Sequence, residues 1–147
     1  MSYTNIPNNV FCKIHCTIIF DNIHGYIEID DIAKSIIDTP EFQRLRRIHQ
    51  GGVLYYVFPT ANHSRFEHSI GTYHLARKII TNIRKNQPEL KITSKIIKIV
   101  SIAGLCHDLG HLMYSHLFDD LFLPKLDNYE KFGKLVIHEQ RSIVILG

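Results

Sequence analysis

Ser64 and Glu67 lie three residues apart, the spacing at which a serine hydroxyl and a glutamate carboxylate each cap the other's backbone N–H at the start of a helix. Ile70, Tyr73, Ala76, Ile80 and Ile83 follow at intervals of three and four, which predicts a long amphipathic helix, stopped at Asn86-Gln87-Pro88. This places His68 in the first or second turn, a rigid position from which to present a side chain. A second helix is predicted from Thr93 or Ser94. It is apolar on most sides from Ile96 to Leu105, which predicts burial at the domain centre, and it ends at His107-Asp108, where Gly110 lets the chain turn.

The flanking segments are shorter. Residues 1–16 are polar, with Pro7 between asparagines, and read as a loose leader. Thr17 to Phe20 and Gly25 to Ile29 are β-prone runs around a turn-rich spacer and predict a small hairpin. Ile32, Ile36 and Ile37 predict a helix stopping near Pro40. Thr39-Pro40-Glu41 starts the next, with Phe42, Leu45, Ile48 and His49 inward and Arg44, Arg46 and Arg47 on a solvated face, ending at Gly51-Gly52. Val53 to Phe58 reads as a short extended segment. Tyr114 to Phe122 reads as a short helical piece stopped by Pro124, residues 127–133 as a polar loop, and residues 134–146 as a helix or strand.

A chain of 147 residues with 45% hydrophobic residues fits one domain with a real core. A net charge of +3 tolerates anionic ligands but falls short of the dense basic patch of a dedicated DNA binder. Three cysteines and no apolar signal segment point to free thiols and an intracellular location, cytoplasmic or nuclear. Cys12, His15 and Cys16 form C-x-x-H-C without a second pair, and Asn62-His63-Ser64 has no secretory context. No stretch is long and apolar enough to span a membrane.

Ten histidines are the compositional excess. His15, His24, His49, His63 and His74 read as structural. His68, His107 and Asp108 combine imidazole and carboxylate, the donors that hard-to-borderline divalent ions prefer, with His68 closing the site from another helix. His107 and His111, four apart, fit one helix face if the helix continues to Gly110. Such a site best supports water made nucleophilic against an electrophile such as phosphorus. His111 and His116 then meet an anion or pass a proton to a leaving group, Asp119 orients His116, and Arg65 offers a forked charge to phosphate. Acyl transfer by Ser115 and His116 is weaker, because no nucleophile elbow surrounds the serine. A closed structural zinc site leaves Arg65 and the second histidine pair unexplained.

Tyr55 to Pro59, Arg65-Phe-Glu-His-Ser69, Ile102 to His111 and Ser115-His-Leu-Phe-Asp119 together resemble the HD-domain dNTP triphosphohydrolases, nearest the sterile-alpha-motif and HD-domain proteins of animals. The resemblance runs from about Thr17 to Glu139. It implies a mostly α, HD-domain-like helical fold with a small N-terminal β-hairpin. It also implies a divalent metal ion (Mg, Mn, Fe or Zn) to which His68, His107 and Asp108 are three of four protein ligands. The implied reaction is hydrolysis of a dNTP to deoxynucleoside and triphosphate, by attack at the α-phosphorus. By the same resemblance Arg65 contacts phosphate, His111 and His116 serve the triphosphate and the leaving group, Asp119 supports His116, His138 lines the pocket, and Gln50 reads the sugar 3′-hydroxyl. Asp38, Gln43 and Arg46 match a regulatory guanine-nucleotide site for GTP or dGTP.

The family's fourth ligand, an aspartate on a later helix, has no counterpart here, so residues 17–147 are expected to form a partial, C-terminally truncated HD domain. Two functions follow as expectations. One is a metal-dependent dNTP phosphohydrolase; the other is a non-catalytic HD module binding nucleotide, nucleic acid or a full-length homologue through Arg44 to Arg47. Expected partners are a dNTP, a guanine-nucleotide regulator, a second copy of the chain and, weakly, nucleic acid, with no membrane.

Overall fold

The computed structural model describes residues 17–129 and 137–147, so Cys12, His15, Cys16 and the leader lie outside the described residues. Strands β1 (Thr17–Asp21) and β2 (Gly25–Ile29) form an antiparallel hairpin with Thr17 opposite Ile29 and Asp21 opposite Gly25. Asp21 Oδ1 accepts from the N–H groups of Ile23 and His24 at 2.8 Å each, closing the turn, and Gly25 takes φ +74°, a conformation glycine reaches without a Cβ penalty. Alternation then buries Ile27 and Ile29 and exposes Tyr26.

Among the described residues five α-helices follow: α1 (Asp31–Ile37), α2 (Pro40–Gln43), α3 (Arg65–Asn86), α4 (Ser94–Cys106) and α5 (His138–Leu146). The predicted caps at Thr39 and at Ser64 with Glu67 form, and Asp30 and Thr93 cap as well: Asp30, Thr39 and Thr93 each accept from the third residue on, and Ser64 and Glu67 make the full capping box. The core joins Ile27 and Ile29 of the hairpin to Phe42, Leu45, Phe66, Ile70, Tyr73 and Leu105. The fold is therefore mostly helical with a two-stranded hairpin, and among the described residues no helix is long and apolar enough to cross a membrane.

Three segments depart from expectation. The helix expected from Pro40 to Gly51 stays α-helical only to Gln43, tightens to a 3₁₀ turn over Arg44–Arg47 and ends at Ile48. There the chain must extend to pair with the residues before α3: Arg65 N–H donates to Ile48 O at 2.8 Å and Gln50 N–H to His63 O at 3.0 Å. Val53 to Phe58 is not extended but turns through a 3₁₀ helix at Leu54–Tyr56, because no strand lies beside it and its own carbonyls meet the N–H groups of Tyr56, Val57 and Phe58. Finally, α4 is not central. It packs on α3 by one face, where Gly104 fits against Ala76 and Thr72, while Ile96 and Ile99 remain exposed because no described element covers the opposite side. Within 127–133 only Asp127 to Tyr129 are described, and the last segment resolves as helix α5.

Phe42 is 0% exposed and meets Phe66 edge-on at 5.5 Å between ring centroids. Phe42→Ala should cost about 3–5 kcal/mol in a urea unfolding curve. A loss below about 1 kcal/mol would place Phe42 outside the core.

Candidate metal centre

Asp108 follows the last turn of α4, and its buried carboxylate is the meeting point of the site. Arg65 Nη1 donates to Oδ2 at 2.5 Å, His68 Nε2 lies 3.3 Å from Oδ2, and His107 Nε2 lies 3.2 Å from Oδ1. Arg65 and His68 lie three residues apart in the first turn of α3, on one face of the helix. Arg65 is 1% exposed, so its charge is spent inside the protein. Nε donates to Ser115 Oγ at 2.9 Å, and that hydroxyl donates in turn to His49 O at 2.7 Å. Arg65 Nη2 has no hydrogen-bond partner among the described residues.

The nitrogens of His68 and His107 approach to 3.2 Å. His107 Nδ1 lies 2.8 Å from Gly104 O, which can only accept, so Nδ1 carries the proton and Nε2 of the neutral ring presents a lone pair. His68 Nε2 and His107 Nε2 lie 3.2 Å apart, and each faces a different oxygen of Asp108, His68 toward Oδ2 at 3.3 Å and His107 toward Oδ1 at 3.2 Å. Ligand atoms bound at ordinary distance to one ion are about 3.0–3.4 Å apart in octahedral or tetrahedral geometry. The donor set therefore fits a divalent cation, and a fixed His107 tautomer with an outer carbonyl partner is the arrangement metal-bound histidines use.

His111 is not on the same helix face as His107. The α-helix stops at Cys106, and tight turns from Leu109 N–H to Cys106 O and from His111 N–H to Asp108 O carry His111 to the other side of Asp108. There its ring stacks on His138 at 3.7 Å and meets His116 edge-on at 4.8 Å. His111, His116 and His138 form a second group of convergent donor atoms. His111 Nε2 lies 3.6 Å from Asp108 Oδ1, and His111 Nδ1 and His138 Nδ1 each lie 3.5 Å from Asp119 Oδ2. Burial, reinforced by Arg65 and the neighbouring imidazoles, pushes His111 down to about 2, so the ring is neutral. Burial also lowers His68 and His138. Asp119 pairs with Arg141 and faces the His111 and His138 rings, and His116 stands exposed at the rim.

Two clefts flank the centre. One, of about 400 Å³, opens beside His68 and is lined by Asp21, His24, His63, Glu67 and Leu75. The other, of about 390 Å³, is lined by His116, Asp119, Tyr129, His138 and Glu139. Each is large enough for part of a small ligand. Gln50 Oε1 is buried without a hydrogen-bond partner among the described residues. Asp38, Gln43 and Arg46 gather instead at the α1–α2 corner: Asp38 pairs with Lys34, Gln43 bonds Ile37 O and accepts from Arg46, and the Arg46 guanidinium lies over Phe66 at 3.5 Å.

The sequence reading missed the residues that hold the turn. Arg44 is not on a solvated face. Its guanidinium donates to Leu109 O at 2.6 Å and to His111 O at 2.7 Å, because the 3₁₀ turn swings it inward. Ser142 Oγ accepts from Gly110 N–H at 2.7 Å and faces His107 O at 2.9 Å, while Arg141 Nε donates to Gly110 O at 2.8 Å. Only the polar Gln140-Arg141-Ser142 stretch ahead of the apolar Ile143 to Leu146 hinted at them.

With this geometry in place, similarity to known proteins is informative. The HD-domain family profile matches residues 65–146, more than half of the chain. The chain belongs to the HD-domain family. This HD domain is 49% identical over 128 residues to the deoxynucleoside triphosphate triphosphohydrolase SAMHD1 of Bos taurus, covering 87% of this chain and 21% of that protein. The SAMHD1 of Danio rerio is 53% identical over 123 residues, 84% of this chain and 19% of that protein. The SAMHD1 homolog of Dictyostelium discoideum is 50% identical over 130 residues, 88% of this chain and 24% of that protein. The chain thus spans about a fifth to a quarter of the length of these relatives. HD domains are metal-dependent, and the group of His68, His107 and Asp108 could hold an ion here.

Two outcomes follow. Because His111, His68 and His138 are lowered from 6.5, the unfolded chain binds protons that the folded chain refuses as pH falls below 6.5. Stability of the chelator-treated protein is therefore full above pH 6.5 and drops toward pH 5, with His111 contributing up to about 1.4 kcal/mol per pH unit. Thermal melts of the parent and of His111→Asn check this: the variant should have the shallower slope, and equal slopes would contradict a buried neutral ring. A Cβ added at Gly110 would stand 2.1 Å from His138 O and 2.5 Å from Ser142 N. Gly110→Ala should destabilise by at least about 1–3 kcal/mol in denaturant unfolding and displace α5; unchanged stability would contradict that approach.

Proposed function

We propose that this chain carries the metal-binding and phosphate-facing part of a dNTP triphosphohydrolase. The observation that carries the proposal is the convergence of His68, His107 and Asp108, set against a second imidazole cluster across the same carboxylate. The SAMHD1 relatives supply the substrate class.

His68, His107 and Asp108 would hold a divalent ion, which would supply positive charge to polarise phosphate and acidify water. Arg65 keeps Asp108 in place, and its Nη2, without a hydrogen-bond partner among the described residues, is the group for a phosphate oxygen. Gln50 Oε1, buried and without a donor among the described residues, accepts from the sugar 3′-hydroxyl. Water attacks the α-phosphorus, the bond from phosphorus to O5′ breaks, and His116 at the rim gives the leaving O5′ its proton. His111, His138 and Asp119 form the wall behind that rim.

The test incubates purified protein with dGTP and Mg²⁺, Mn²⁺, Fe²⁺ or Zn²⁺, and measures deoxyguanosine, triphosphate and bound metal. Turnover that falls by more than about 100-fold in His107→Ala, with loss of the ion, is the expected result. No turnover and no bound ion under any condition would overturn the proposal. The exposed apolar side chains of α4 and α5, Ile99, Ile143, Val144 and Leu146, favour a second reading, a non-catalytic module that docks on another polypeptide. Bound ion and bound dGTP without hydrolysis would support that reading.

A further inference from the structure

Arg141 lies one turn into α5, and its guanidinium ties together two segments of the site. Nε donates to Gly110 O at 2.8 Å, steadying the turn that presents Asp108 and His111. Nη2 donates to Asp119 Oδ1 at 2.5 Å, which fixes the rotation of that carboxylate. With Oδ1 held, Oδ2 faces His111 Nδ1 and His138 Nδ1 at 3.5 Å each and has no hydrogen-bond partner among the described residues.

His111 has a carboxylate on either side, Asp108 Oδ1 3.6 Å from Nε2 and Asp119 Oδ2 3.5 Å from Nδ1, so distance does not choose which nitrogen carries its proton. Burial separates them: each carboxylate meets an arginine through its other oxygen and imidazoles through this one, and Asp119 Oδ2 is the buried atom left without a hydrogen-bond donor among the described residues. A buried acceptor without a donor is costly, and an imidazole N–H pointed at it removes that cost.

We propose that Arg141 is a positioning residue that aims Asp119 Oδ2 to take the Nδ1 proton of His111, leaving His111 Nε2 as a lone pair directed toward Asp108. Its catalytic consequence rests on the function proposed above: His111 then accepts a proton or hydrogen bond on the phosphate side and does not donate one. The tautomer itself is a property of the folded chain and is read without turnover.

The experiment uses protein labelled with ¹⁵N at histidine, chelator-treated and Zn²⁺-loaded, with His111 assigned through His111→Asn. Two-bond ¹H–¹⁵N correlations report which ring nitrogen carries the proton. In the parent, His111 should show a protonated Nδ1 and a bare Nε2. Asp119→Asn should reverse this, because Arg141 pins the amide oxygen and turns the amide NH₂ toward Nδ1. Arg141→Gln should give a mixture, and Arg141→Lys should restore the parent state in part. A parent with a protonated Nε2, or a folded Arg141→Gln protein with the parent tautomer, would overturn the proposal. Should Arg141→Gln not fold, Asp119→Asn decides alone: reversal supports it and an unchanged tautomer overturns it. On dGTP, Arg141→Gln should lower kcat by about 10- to 100-fold with KM little changed and metal content equal to the parent's. An unchanged kcat, or a loss confined to KM, also counts against it. If the parent does not turn over dGTP, the function proposed above fails while the spectra still decide the role of Arg141.

Discussion

A buried carboxylate is unfavourable unless positive charge and hydrogen-bond donors surround it, and the architecture here follows from meeting that demand at Asp108. Its oxygens are reached by Arg65 and His68 from α3, His107 from the end of α4, His111 from the following turn and His138 from α5. No one of these segments could satisfy Asp108 locally, so the helices must converge on it. The hydrophobic core supplies the platform, and the carboxylate sets which faces of that platform meet.

The turn after α4 needs its own support, because a helix end leaves carbonyl groups without internal partners. Four successive or near-successive carbonyls are addressed by side chains from elsewhere: His107 by Ser142, Leu109 and His111 by Arg44, and Gly110 by Arg141. Arg44 arrives from the segment before α3 and Arg141 from α5, so the turn is gripped from both sides. Donors at a helix C-terminus also complement its dipole. Gly110 permits the grip, since its missing side chain is the space that α5 occupies.

Much of this was legible from the residues. The capping box at Ser64 and Glu67, the apolar interval of α3 and the start expected at Thr93 or Ser94 placed both long helices, and His68 with His107-Asp108 emerged from donor chemistry and spacing. What escaped was non-local. Spacing lets His111 share the face of His107 only if the helix runs on to Gly110, and it stops at Cys106. An arginine run reads as solvated until a change of helix type turns Arg44 inward. The β-branched and aromatic run at Val53 to Phe58 lacks a strand to pair with, and the apolar circumference of α4 meets a neighbour on one face only. Such outcomes depend on what lies beside a segment, which periodicity does not encode.

His68 Nε2 and His107 Nε2 stand 3.2 Å apart because α3 carries one and the end of α4 the other, each against a different oxygen of Asp108. A donor set arranged beforehand by the packing of two helices loses less conformational freedom on capturing an ion than one gathered from loops. The tightness with which an ion is held would then be set partly by how rigidly α3 and α4 resist drifting apart.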